Sequence, residues 1–165
     1  MNPTAKKPTT KTPKTQTTPT KDSKGSEAKV PDANGYQVLL DAKAPKISPK
    51  TTGQINYQIG ISDSDQTLAI RMVSNDGGGL HTKEWISLIV LTDLLDGQEG
   101  NTFKSTILKS VMKGASANNA GFLAAVLRSE KLRLIVPSDK SLYLHQLPAD
   151  YKERKAQLLS MKPKQ

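Results

Sequence analysis

Residues 102–147 read TFKSTILKSVMKGASANNAGFLAAVLRSEKLRLIVPSDKSLYLHQL, and their periodicity decides the fold. Phe103, Ile107 and Val111 recur at helical spacing, with Lys104, Lys109 and Lys113 outside them. That predicts a helix over 102–113 behind a Thr102 cap. Gly114 stands where a helix-ending glycine belongs. After this short connection Ser116 can cap a second helix, running from Ala117 to about Lys131. Its small residues Ala117, Ala120, Gly121, Ala124 and Ala125 would let another element approach closely. Leu132–Val136 and Ser141–His145 then flank the turn residues Pro137–Lys140, which predicts a hairpin.

Upstream, residues 82–96 fit a helix capped by Thr82, with Glu84 in its first turn and Trp85, Leu88, Ile89 and Leu95 on one face. The β-branched Ile86, Ile89 and Val90 keep a strand open as the alternative. Residues 97–101 (GQEGN) read as plain loop. Further upstream Ile55, Tyr57, Ile59 and Ile61 alternate with polar residues, SDSDQ forms a turn, and Leu68, Ile70 and Met72 alternate again. That predicts a β-hairpin over 53–73. The glycines of Ser74–Gly79 suit a hinge, since the Lys and Ser/Thr of a P-loop are missing. Residues 31–50 carry Pro31, Pro45 and Pro49 and one apolar run, Tyr36–Leu40, which reads as loop with a short strand. Downstream of Pro148, Asp150 can cap a short basic helix bearing Tyr151, Leu158 and Met161.

The fold class is therefore α+β. Its four parts are an arm (1–30), a β-hairpin-containing front half (31–80), a three-helix plus hairpin region (81–148) and a basic C-terminal helix or tail (149–165).

Of 165 residues, 24 are Lys or Arg and 15 Asp or Glu, a net charge of +9. Residues 1–30 carry +5 and residues 151–165 carry +4, so residues 31–150 are neutral. That neutral stretch is itself polarised, −4 over 31–100 and +4 over 101–150. The arm holds eight Thr, four Pro and seven Lys, a composition that cannot bury enough apolar surface to offset its ordering entropy. It reads as an extended, disordered basic segment without the apolar stretch of a secretory signal. No run is apolar enough to span a bilayer. With no Cys either, a cytoplasmic setting and no membrane partner are expected.

Catalytic chemistry has little support. His81 and His145 are far apart and lack acidic neighbours at ligand spacing, so each reads as a cap-region or wing surface residue. Asp63 and Asp65 begin like a calcium loop, but the remaining ligands are absent. Asp93 and Asp96 read as a solvated helix face. No enzyme activity, metal or cofactor is expected.

The order helix, helix, tight turn, helix, hairpin over residues 82–147 resembles a winged helix, the helix-turn-helix variant with a β-hairpin wing. The resemblance rests on element order and covers 66 residues. It departs from the family in lacking a visible strand between the first two helices. It implies that helix 117–131 is the recognition helix, with Ser116, Asn118 and Asn119 at base edges. Lys113 would lie in the turn before it, and Arg128 and the wing-tip Lys140 would meet phosphates. Lys104, Lys109, Lys131 and Arg133 extend the basic pole, and Lys152, Arg154 and Lys155 add the tail's charge. The expectation is a small nucleic-acid-binding protein, with duplex DNA as the favoured partner, serving as an accessory or regulatory factor of bacterial or mobile-element type. The alternative is an interaction or assembly module that forms a homodimer or docks a partner through helix 117–131 or the edge of the 53–73 hairpin. Single-strand binding through that hairpin is weaker, because Tyr57 is its only stacking aromatic.

Overall fold

The alternating stretch folds as its period requires. Ile55, Tyr57, Ile59 and Ile61 point to one side and are all buried, while Asn56 and Gln58 point to the other. The computed structural model describes residues 31–164 apart from 33, 81 and 115, so the arm and His81 lie outside the described residues. Strands β1 (Pro31–Asp32), β2 (Tyr36–Pro45), β3 (Gln54–Ser62), β4 (Leu68–Asn75) and β5 (Ile86–Ser87) form an antiparallel sheet in sequence order. The β3–β4 turn is closed by Ser62 N–H donating to Thr67 O (2.9 Å). Gln66 sits there in the left-handed region (φ 57°).

The chain continues as α1 (Leu88–Asp96), β6 (Phe103–Lys104), a 3-10 helix (Ser105–Val111) and α2 (Ala117–Arg128). Strands β7 (Val136–Ser138) and β8 (Ser141–Gln146) follow, and α3 (Tyr151–Leu159) ends the chain. A second antiparallel sheet has the order β6-β8-β7. The class is α+β.

Several elements differ from the sequence reading, each for a physical reason. The stretch read as loop with a short strand holds the ten-residue β2. A bulge between Val38 and Leu40 shifts the register and breaks the two-residue period. The helix read over 82–96 starts at Leu88, capped by Ser87, whose hydroxyl accepts from Val90 N–H (3.5 Å). Ile86 and Ser87 join the sheet instead, where the β-branched Ile86 packs well, and Trp85 lies just before that strand. Thr82 accepts from Glu84 N–H (3.3 Å) and caps no helix. The stretch read as helix 102–113 is a strand and a 3-10 helix, because Phe103 and Lys104 pair with His145 and Leu144. Thus the strand missing from the sequence pattern does lie between the first two helical elements. Helix 117–131 stops at Arg128, and Arg133 adopts φ 43°. There Leu134 and Ile135 hydrogen-bond back to Leu127 O, so residues 132–135 wrap the helix end and β7 is short.

A continuous apolar core joins the halves. Helix α2 lies against β2, β3 and the 3-10 helix. Tyr57 Oη and Ser129 Oγ, 3.1 Å apart, share a buried hydrogen bond that ties β3 to the end of α2.

Candidate functional site

The sequence-derived basic residues fall into three structural groups. Lys104 on β6, Lys109 on the 3-10 helix and Lys113 in the turn after it are exposed. Lys104 pairs with Leu144 and is exposed on the small sheet. Lys113 is anchored through its backbone, since its N–H donates to Glu84 Oε1 (2.7 Å) and its side chain stays outside. These lysines precede the amino end of α2, where Ser116 caps the helix by accepting from Asn119 N–H (3.2 Å). Asn118 is exposed beside that cap.

The helix itself is largely buried. Asn119, Ala120, Leu123, Ala124, Ala125, Val126 and Leu127 are buried, and past Ala117 and Asn118 no α2 residue is fully exposed. Asn119 therefore cannot reach a base edge. The helix is packed between the 3-10 helix and the front-sheet strands β2 and β3. The Ala/Gly-rich pattern is that of a helix between two layers.

Arg128 turns its guanidinium toward the small sheet. Its Nε donates to His145 Nδ1 (3.0 Å), and its Nη2 donates to Leu142 O (2.5 Å) and Leu144 O (3.2 Å), strapping α2 to β8. His145 is 1 % exposed and so is not a wing surface residue. Burial, with the Arg128 charge beside it, pushes its imidazole down to about 4. The neutral ring is the acceptor this arrangement needs. Lys131, Arg133 and Lys140 remain exposed around the helix end and the wing turn.

The third group is spoken for. On α3, Lys152 pairs with Glu99 (2.9 Å), Arg154 with Asp150 (2.6 Å) and Lys155 with Asp96 (2.5 Å). Asp96 and Glu99 sit at and just past the carboxyl end of α1, where the helix dipole also favours cations. Tyr151 is buried, and its hydroxyl lies 2.9 Å from Asp96 Oδ1 and 3.1 Å from Thr92 O, both acceptors for its proton. Lys155 and then Tyr151 hold the Asp96 carboxyl below the usual range by hydrogen bonding, and Arg154 does the same for Asp150. Asp150 occupies the cap position of α3 without a side-chain cap bond. The basic C-terminal helix is docked, its charges turned onto the end of α1 and onto Asp150.

Of the alternative surfaces, α2 is covered and the hairpin edge is covered in part. The hairpin has no free edge along β3, which lies between β2 and β4, and β5 borders β4 over Ala69 and Ile70. Tyr57 is buried. Sequence reasoning missed a different cluster on the open face of the front sheet. There Tyr36 stacks on Trp85 with centroids 4.5 Å apart and planes at 17°. The Arg71 guanidinium lies 4.5 Å from the same indole. Gln58 accepts from Arg71 Nε (3.0 Å) and Nη2 (2.8 Å) and donates to Asp41 (2.6 Å). Gly60 makes room for this cluster, since a Cβ there would stand 2.7 Å from the Trp85 ring. The signal was hard to find, because Tyr36 opens β2 while Trp85 lies just before β5, almost fifty positions later in the chain.

No helix is long and apolar enough to cross a membrane, and no group of three metal-ligating side chains occurs among the described residues. No family model, curated protein or solved structure matches the chain.

Proposed function

We propose that this chain is a nucleic-acid-binding accessory protein that grips the phosphate backbone of duplex DNA and reads little or no base sequence. One observation carries the reading. Lys104, Lys109, Lys113, Lys131, Arg133 and Lys140 are exposed and take no part in any ion pair among the described residues, whereas all three α3 cations are neutralised. Unpaired surface cations are what counterion release requires. Burial of α2 argues against base readout, because a helix covered by a sheet cannot enter a major groove.

The order helix, strand, helical turn, helix, strand, strand, with a sheet ordered β6-β8-β7, favours a winged-helix-like unit over residues 82–147. In that unit the wing and the Lys104–Lys113 stretch would meet phosphates, and Asn118 alone would approach a groove. The basic arm would add non-specific affinity, and a cytoplasmic setting fits this role.

A second reading rests on Ile89 and Val90, exposed at 50 % and 53 % on α1. Two adjacent β-branched residues in solvent suit a homodimer or partner surface better than the covered α2 does. Sedimentation velocity on the full chain, with and without a duplex, tests both. Co-sedimentation with DNA at low salt supports the first reading. A concentration-dependent dimer that ignores DNA replaces it with the second.

A further inference from the structure

Arg128 is a partly buried guanidinium whose hydrogen-bond partners are all neutral, an imidazole nitrogen and two carbonyls. A cation taken out of water is normally compensated by an anion. None within the described chain serves it, since the nearby Asp150 carboxylate is held by Arg154 at 2.6 Å. Arg128 also lines an open groove of about 730 Å³, together with Arg133, Gln146 and Asp150, along a wall formed by Val136 and Pro137. That wall is β7, the outer strand of the small sheet. Arg133 enters the groove from a left-handed backbone (φ 43°), a conformation that costs a non-glycine residue about 1 kcal/mol or more and gathers at functional sites. Two guanidiniums and an amide around one concavity form a donor set suited to a tetrahedral oxyanion: Arg133 offers a whole fork for bidentate binding, and Arg128 offers its remaining Nη1, since its Nε and Nη2 are held by β8.

We propose that this groove is a phosphate site, held by Arg128 and Arg133, and that the phosphate it takes is one of a nucleic-acid strand. The second half rests on the function proposed above; the first does not. Arg128 supplies the fixed donor, because its other nitrogens are locked to β8. Arg133 supplies the exposed donor, and Gln146 a neutral one.

The test uses the full-length protein and inorganic phosphate as the probe. The Nη–H resonances of Arg128 and the side-chain amide of Gln146 are followed by NMR, with chloride at matched ionic strength as the control. The site predicts a saturable shift of both signals by phosphate and not by chloride. Arg133→Gln, at an exposed position, should weaken it roughly tenfold, the worth of one charge-assisted hydrogen bond, with an unchanged melting temperature. Arg128→Lys should weaken it as well, but its strap to β8 makes Arg133→Gln the deciding variant. A shift that does not saturate, that chloride reproduces, or that Arg133→Gln leaves unaltered overturns the site, whether or not the protein binds DNA. A duplex added next should displace the phosphate. Duplex binding that leaves the phosphate signals in place overturns the strand as the source. Failure of the duplex to bind at all overturns the strand source and the function proposed above, while the phosphate site stands or falls on its own titration.

Discussion

His145 is the residue on which the wing is most finely balanced. It is buried, neutral and accepts from Arg128, and its pKa is pushed from 6.5 down to about 4. The unfolded chain therefore takes up a proton as pH falls through 6.5, and the folded chain does so only near 4. Stability is complete above the upper value and is lost as pH drops through that window, by roughly 2–4 kcal/mol in all. Asp96 and Asp150, held below the ordinary carboxylate range, release their stabilisation only at more acidic pH. Urea unfolding at pH 7 and pH 4.5 should show the loss, and His145→Gln should flatten it. An unchanged pH dependence in that variant would remove His145 from the explanation. Gly60 makes a second residue-scale prediction. A methyl there would meet the Trp85 ring at 2.7 Å and Gln37 O at 3.1 Å. Gly60→Ala should cost about 1–3 kcal/mol by overpacking. Because Trp85 is the chain's one tryptophan, its fluorescence maximum should shift at the same time.

Among the elements, α3 is defined by docking rather than by its own pattern. Its cations meet the acidic end of α1, and Tyr151 sits beneath them. Exposed pairs contribute little individually, about 0–1 kcal/mol each, so the buried phenol carries more of the attachment. Tyr151→Phe should destabilise by about 1–2 kcal/mol in urea melts, while Lys152→Ala should lie within about half a kcal/mol of the parent. Equal effects would contradict this ranking. The elements also explain what could be read in advance. The β3–β4 hairpin was legible because its alternation is unbroken from Ile55 to Ile61. The Ser116 cap was legible because capping is local chemistry. Strand β2 was hidden by its bulge, and β6 by being two residues long with a partner some forty positions ahead. The burial of Asn119 was not legible at all, since it depends on how α2 packs against other elements, among them sheet strands remote in sequence.

For the molecule as a whole, the distribution of charge matters more than its sum. The sequence alone places positive charge at both ends and in residues 101–150. In the fold, the charge of α3 is spent on Asp96, Glu99 and Asp150, and Arg128 is turned inward to β8. What is left for a polyanion is the exposed set around β6, the 3-10 helix and the wing, the remaining Nη1 of Arg128 in the groove beside β7, and the arm outside the described residues. Ion pairing could not be foreseen, because it depends on which helix ends meet.

The most direct test is a salt titration of duplex binding by the full chain and by the triple variant Lys104→Ala, Lys109→Ala, Lys113→Ala. Each cation that neutralises a phosphate contributes about 0.9 to the slope of log affinity against log salt. The phosphate-gripping account predicts binding at low salt that weakens steeply as salt rises, little preference among duplex sequences, and a slope reduced by about 2–3 in the triple variant. Full-length protein that fails to bind duplex at low salt, or a triple variant with the parent's slope and affinity, would contradict it.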